Sequence, residues 1–334
     1  MQEKFKYLVE STAQLVSLQS LIKLTGITTV LPFYHTVSDE DLPHLNHLYP
    51  VINAKVFEQH LDYFLKHYKP ASYKHLLDKT ATTGNHFIIS FDDGLSGFYN
   101  LAAPILERKG IPAICFINSS FVDNQALFYR LKVSILIDKL LSISNKRLHN
   151  QLVASCNNYA INYTHPLDLK KITDSQVKLI DELAILTGVD FDQYLSEKKP
   201  YLTRAQLKEL AAKGFTIGAH SVTHPYFPSL TEEMQLNETL NSVRYVKKEF
   251  GMNDGLFSFP YTDFGIKKSF FSSVTNDVCL TFGTANLKRD SIATNHQRIP
   301  MEVPGYEDPA RIIKNQYLLH WLKQLTGRSE IKRN

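Results

Sequence analysis

Two hydrophobic rhythms alternate along this chain. Short, nearly continuous apolar runs are separated by longer stretches in which apolar residues recur every third or fourth position. The runs within residues 28–35, 87–91, 112–118, 215–219, 256–261 and 278–283 read as strands buried on both faces. The periodic stretches at 55–68, 97–109, 201–213, 231–250 and 309–325 read as helices. Thr203 stands where a helix N-cap is needed, and Gly110 and Gly214 follow helix ends, where a left-handed residue is favoured. Repeated strand–helix–strand units predict right-handed parallel crossovers and an α/β, barrel-like fold with its chemistry at the C-terminal strand ends.

Residues 121–200 break this rhythm. Leu127 to Leu141 and Asp174 to Leu186 are apolar at helical spacing, while Cys156 to Pro166 is polar and rich in turn formers. The segment holds no nucleophile with a base and no phosphate loop, so it reads as a helical insertion between two barrel strands within a single domain spanning 1–334. Its place in the chain predicts that it emerges at the active-site face and walls one side of the site.

Residues 3–25 read as one helix. Ser, Thr and Gln punctuate it, so it is too polar to span a membrane. It also lacks the cationic start and apolar core of a signal peptide, so a cytoplasmic location is the expectation. A helix packed on the body of the protein is the favoured reading, and a peripheral contact with a membrane surface is the alternative. The basic tail, Lys332-Arg333, is expected to fray.

Composition changes this picture little. The chain is 43% hydrophobic and 21% charged, with a formal net charge of +4 over 334 residues, which argues for an ordinary globular protein and against a nucleic-acid partner. Cys115, Cys156 and Cys279 are scattered and odd in number, so they form neither a disulfide framework nor a zinc cluster.

The candidate chemistry lies at two strand ends. The run from His86 to Phe91 stops at Asp92-Asp93-Gly94. Two adjacent carboxylates are costly at the end of a buried strand unless a cation binds there or one acid serves as a base. The second strand runs into His220-Ser221-Val222-Thr223-His224. On a helical turn, imidazoles four apart project from one face. Two imidazoles and one carboxylate make the donor set of a catalytic zinc with positions left open.

Ser90-Phe91-Asp92-Asp93-Gly94 and His220-Ser221-Val222-Thr223-His224 resemble the first two motifs of the polysaccharide deacetylases with a NodB homology domain, carbohydrate esterase family 4. Phe259-Pro260-Tyr261 resembles the core of the third motif, and Tyr34-His35 is similar to the poly-N-acetylglucosamine deacetylase branch. The resemblance covers roughly residues 29–120 and 200–305. It implies an irregular (β/α)7-type barrel and a divalent metal, zinc before cobalt or nickel, held by Asp93, His220 and His224. It further implies Asp92 as the base, the N–H of Tyr261 as an oxyanion donor, and an N-acetylated amino-sugar substrate.

Two departures qualify this assignment. The family's arginine before Pro-Tyr is absent; Phe257 and Phe259 occupy that neighbourhood, and Arg298 is the candidate to reach the site from the last strand. Its expected role is at the substrate, together with Pro260. The late Leu-x-His motif that supplies the acid has no clear counterpart, so His35 is the candidate acid and His296 the reserve. Two other functions stay open: a barrel that only binds carbohydrate, and a metal amidase acting on a small nitrogenous compound.

Overall fold

The computed structural model of the chain describes residues 2–78 and 83–334. Seven parallel strand positions form the centre. They are β1 (Pro32–Tyr34), β2 (Ile89–Phe91), β3 (Ala113–Ile117), β4 (Thr216–Ala219), β5 (Leu256–Ser258), β6 (Leu280–Gly283) and β7, which is split into Asn295–Gln297 and Ile299–Pro300. The split closes the ring. The first half of β7 pairs with β6, Asn295 opposite Thr281, and the second half pairs with β1, Ile299 opposite Pro32. The break falls at Arg298, whose N–H donates to the Gly283 carbonyl at 3.1 Å.

Alternation along each strand sorts the side chains into two layers. Leu31, Ile88, Ile114, Phe116, Leu256, Leu280 and Phe282 fill the barrel interior. Their neighbours Tyr34, Ile89, Phe91, Cys115, Ile217 and Phe257 face outward into the helical layer. Phe257 and Phe259 therefore point away from the barrel mouth. The strands at the bottom lengthen into a second parallel ladder, in which Thr29–Val30 and Lys69–Pro70 flank His86–Phe87.

The helices expected from periodicity form with their caps. Thr203 accepts from the Gln206 N–H at the start of Arg204–Ala212, and Gly110 takes a left-handed φ of 66° after Ala103–Arg108. The N-terminal stretch differs from expectation. It is two helices, α1 (Gln2–Leu15) and α2 (Leu18–Thr25), because Ser17 caps the second one by accepting from the Ser20 N–H at 3.1 Å. Both pack on the last helix, Pro309–Leu325, where Lys314 Nζ reaches the Gln14 carbonyl at 2.8 Å and Tyr317 Oη reaches that of Ile27 at 2.9 Å. Among the described residues, no helix is long and apolar enough to cross a membrane.

The C-terminal tail does not fray. Glu330–Ile331 pairs in parallel with Arg289–Asp290. Arg333 is buried between Asp263 and Asp290, and it also donates to the carbonyls of Asp263 at 2.8 Å and Ile266 at 3.2 Å. A guanidinium that finds two buried carboxylates outweighs the fraying expected of a basic tail.

Residues 121–200 build a second apolar core that includes Leu136, Leu140, Leu152, Cys156, Ile180 and Leu183, joined by Leu45 and Leu95 from loops of the barrel. Its helices are α3 (Tyr129–Leu141), α4 (Lys146–Asn158), α5 (Val177–Thr187) and α6 (Phe191–Lys198). Helix α4 lies partly in the region expected to be turn-rich. Only Leu152 and Cys156 are buried in the core, with Leu148 and Val153 half-buried beside them, so its hydrophobic signal is weak. Asn124 zips the base of the insertion by bonding both the N–H and the carbonyl of Tyr201, at 2.9 and 3.0 Å.

Candidate functional site

All the candidate site residues but His296 gather around the C-terminal mouth of the barrel. Strand β2 delivers Ser90 and then Asp92 into the interior and ends in a turn at Asp93 and Gly94, with φ of 70° and 64°. A side chain at Gly94 would meet Ile117 at 3.0 Å, so the tight turn needs glycine there. Asp93, Ser221, His224 and Tyr261 all adopt left-handed φ values between 58° and 71°. Such conformations cost about 1–2 kcal/mol each for residues with a Cβ, and they cluster where function requires a geometry that packing must enforce.

His220 and His224 do not sit on a helical turn. His220 directly follows β4, and the left-handed residues Ser221 and His224 fold the loop back until the two rings lie 5.0 Å apart. The loop is tied from several sides. Ser221 Oγ accepts from the His224 N–H at 3.0 Å, and Glu238 accepts from the N–H groups of Val222 and Thr223 at 2.8 and 3.0 Å. His220 Nδ1 donates to the Ser258 carbonyl at 2.8 Å, which leaves Nε2 as the free lone pair.

Nε2 of His220 and Nε2 of His224 lie 3.3 and 3.2 Å from Asp93 Oδ1. One donor atom from each of these three residues lies within 4.8 Å of the others. Asp93 Oδ1 is buried, yet it has no partner with hydrogen-bond geometry among the described residues. Lone pairs that share a space without bonding one another fit a bound cation. Two imidazoles and one carboxylate suit zinc and its neighbours in the transition series. Burial would raise the Asp93 carboxyl, but the two imidazoles outweigh it and hold the group ionised, as a ligand must be.

Asp92 points the other way. Arg298 donates to its two oxygens from Nη1 and Nη2, both at 2.7 Å, and also to Ser90 Oγ at 3.0 Å and Ser258 Oγ at 2.6 Å. The guanidinium rests over the rings of Phe33 at 4.4 Å and Phe116 at 5.4 Å. Burial would raise the Asp92 carboxyl; Arg298, with His220, more than offsets that and keeps it below its usual range. Arg298 is fully buried, so it meets the Asp92 carboxylate where the sequence reading put it at the substrate. Pro260 is likewise buried within the third-motif turn, where its carbonyl accepts from the Thr262 N–H at 2.6 Å.

His35 lies at the rim, with its ring stacked on Tyr49 at 4.1 Å. Its Nδ1 donates to Glu302, whose other oxygen accepts from the N–H groups of His35 and Thr36 at 3.0 and 3.2 Å. Burial alone would lower this imidazole; the Glu302 carboxylate overrides it and lifts the pKa to about 9. Glu302 was missed in the sequence, where a single acid past the last strand gives no signal. His296 is two residues below Arg298 on β7, beside Phe282 in the lower barrel layer, and it does not reach the mouth.

Tyr261 turns its ring onto His224, with centroids 4.8 Å apart. Its N–H makes no hydrogen bond among the described residues. The insertion completes this wall: Phe128 packs edge-on to His224 at 4.7 Å, and Arg130 Nε donates to Tyr261 Oη at 2.8 Å. Neither residue carried a motif signal.

A sequence profile of the family described as Polysaccharide deacetylase matches residues 79–272. Among solved structures, the chain is similar to IcaB from Ammonifex degensii, at 16% identity over 87% of this chain and 98% of that one, with a TM-score of 0.55. It is similar to the Streptococcus pyogenes deacetylase PplD in complex with acetate, at 15% identity over 87% and 98%, with a TM-score of 0.54. A de-N-acetylase from Aggregatibacter actinomycetemcomitans matches at 15% identity over 86% and 99%, with a TM-score of 0.51. At these identities the likeness concerns the fold. No curated protein sequence matches the chain.

Proposed function

Because the chain belongs to the polysaccharide deacetylase family, we propose that it removes N-acetyl groups from an amino-sugar glycan or glycan precursor by metal-dependent hydrolysis. The observation that carries this reading is the convergence of Asp93, His220 and His224 on one space, with Asp92 beside it. Asp93, His220 and His224 are the residues that would hold the metal, zinc by the softness of the donor set. A divalent cation held there would supply Lewis acidity, to a water molecule and to the amide carbonyl.

The chain's own groups do the rest. Asp92 accepts the proton of the attacking water, and Arg298 keeps that carboxylate ionised and aimed. The free N–H of Tyr261 donates to the amide oxygen as it becomes negative. His35, protonated through its Glu302 pairing, gives its proton to the departing amine, so acetate and a free amino group result. The absent third-motif arginine favours a barrel that only binds sugar; Arg298 supplies that charge from β7, two strands along the sheet, which supports catalysis.

The test is acetate release by the purified protein from N-acetylated amino-sugar oligomers. Activity that is lost with a chelator and restored by zinc is the expected result. No acetate from any amino-sugar substrate in the zinc-loaded protein would overturn the reading.

A further inference from the structure

Among the described residues, no carboxylate answers the charge of Arg130. It is the second residue of α3, and its guanidinium lies over the rings of Tyr129 at 5.4 Å and Tyr261 at 5.2 Å. The groups that act on its charge are these two phenols. Burial drives the Tyr261 phenol well above its usual range, so it accepts a hydrogen bond while staying neutral. Most other arginines are paired: Arg298 with Asp92, Arg333 with Asp263 and Asp290, Arg108 with Glu58, Arg204 with Asp123 and Glu249, Arg244 with Asp277, and Arg311 with Glu10. Among the described residues, Arg147, Arg289 and Arg328 pair with no carboxylate either, but they are exposed to water and Arg130 is half-buried. A partly desolvated cation without a counter-charge is unfavourable unless a ligand supplies one.

Its position says which ligand. The Tyr261 ring that it covers touches His224, so Arg130 stands one ring away from the reacting centre. Nε is taken by Tyr261, and a guanidinium offers its terminal nitrogens in a fork that matches a carboxylate or phosphate. The surrounding field has the same sense. Asp92 is paired with Arg298 and Glu302 with His35, so a divalent cation held by Asp93 would leave the mouth net positive.

We infer that Arg130 is a specificity-determining residue that binds an anionic substituent, a carboxylate or a phosphate, carried by the glycan beside the N-acetylated sugar. The inference rests on the deacetylase reading for its substrate and on the insertion for its residue.

The experiment measures kcat and KM of the zinc-loaded protein on three N-acetylated oligosaccharides of equal length: neutral, uronate-containing and phosphate-bearing. One anionic series should be favoured in kcat/KM by about 10- to 100-fold, the worth of a charge-assisted hydrogen bond. The gain should lie in KM and shrink with salt, and the favoured series identifies the anion. Arg130→Gln keeps a donor for Tyr261 and should abolish the preference, while Arg130→Lys should retain part of it. Equal kcat/KM on all three substrates would overturn the inference. So would an Arg130→Gln variant whose loss is the same on neutral and anionic chains, because that marks a tie for Tyr261 and nothing more. The same oligosaccharides are titrated into zinc-loaded Asp92→Asn protein. Tighter binding of an anionic chain that depends on Arg130 upholds the inference even if no acetate is released, an outcome that would defeat only the deacetylase reading. Binding without charge preference defeats the inference alone.

Discussion

Two buried arginines organise this molecule, and they do opposite work with similar chemistry. Arg298 grips Asp92 at the barrel mouth; Arg333 grips Asp263 and Asp290 at the rear of the third-motif loop. Around Arg333 the acceptors are heavily bonded. Asn295 and Gln297 each donate to both carboxylates, at 2.6–3.1 Å, and the Ile292 N–H donates to Asp290 at 3.0 Å. Around Arg298 the satisfaction stops abruptly. Asp92 is held, but its sequence neighbour Asp93 carries a buried oxygen without a hydrogen bond, and His224 Nδ1 is also without a partner among the described residues. A filled network can only hold the fold together. A network with open lone pairs beside an ionised carboxylate can bind a cation and move a proton. Open lone pairs beside an ionised carboxylate, more than the presence of charge, separate the mouth from the Arg333 network.

The sharpest way to break this comparison is to change the acid at the mouth. Asp92→Asn should lower acetate release by about 10²–10⁴-fold, the contribution of a positioned base, with metal content per chain unchanged. Asp93→Ala should instead lose metal, and excess zinc should restore part of the activity. Metal lost from Asp92→Asn and kept in Asp93→Ala would exchange the two roles.

The two arginines should then separate. Arg298→Met leaves a buried carboxylate unpaired, so it should cost about 3–5 kcal/mol of stability and most of the turnover. Arg333→Met should cost a similar amount, read from the denaturant midpoint at constant slope, while the folded protein keeps near-normal turnover. Burial would raise Asp290, but Arg333 outweighs it and holds the group below its usual range. Its stabilisation is therefore present above a pH of about 4 and is lost as the pH falls through the folded value. Without Arg333, acid unfolding should begin at a higher pH. Equal loss of turnover in both variants would erase the distinction.

The smallest expected effect is a shift in a pH profile. His35 is raised from the usual 6.5 to about 9. The folded state favours its protonated form, so this stabilisation is complete below about 6.5 and disappears as the pH rises through about 9. Activity that needs the imidazolium should fall along the same limb. Glu302→Gln removes the counter-charge and should move that limb toward acid, and an unmoved limb would remove His35 from proton transfer.

How much of this was legible in the sequence follows from the range of each interaction. The strand ends, the helices with Thr203 caps or Gly110 ends, and the triad of Asp93, His220 and His224 could be read because each depends on a few neighbouring residues and on alternation along a strand. The helix at Lys146–Asn158 could not, because only two of its residues, Leu152 and Cys156, are buried. The role of Arg298 could not either. It meets Asp92 across 206 residues of chain, and only because β7 splits to pair with β6 on one side and β1 on the other. Glu302 behind His35, Arg333 between two acids, and Phe128 with Arg130 against the third-motif turn are of the same kind. The sequence by itself determined which residue types stand at each strand end, since burial periodicity and turn chemistry are local. Which charge answers which was decided by barrel closure and by the docking of the insertion. A carboxylate in a low-dielectric interior takes whatever cation the closed fold brings within hydrogen-bond reach, and that distance is not written in any one segment.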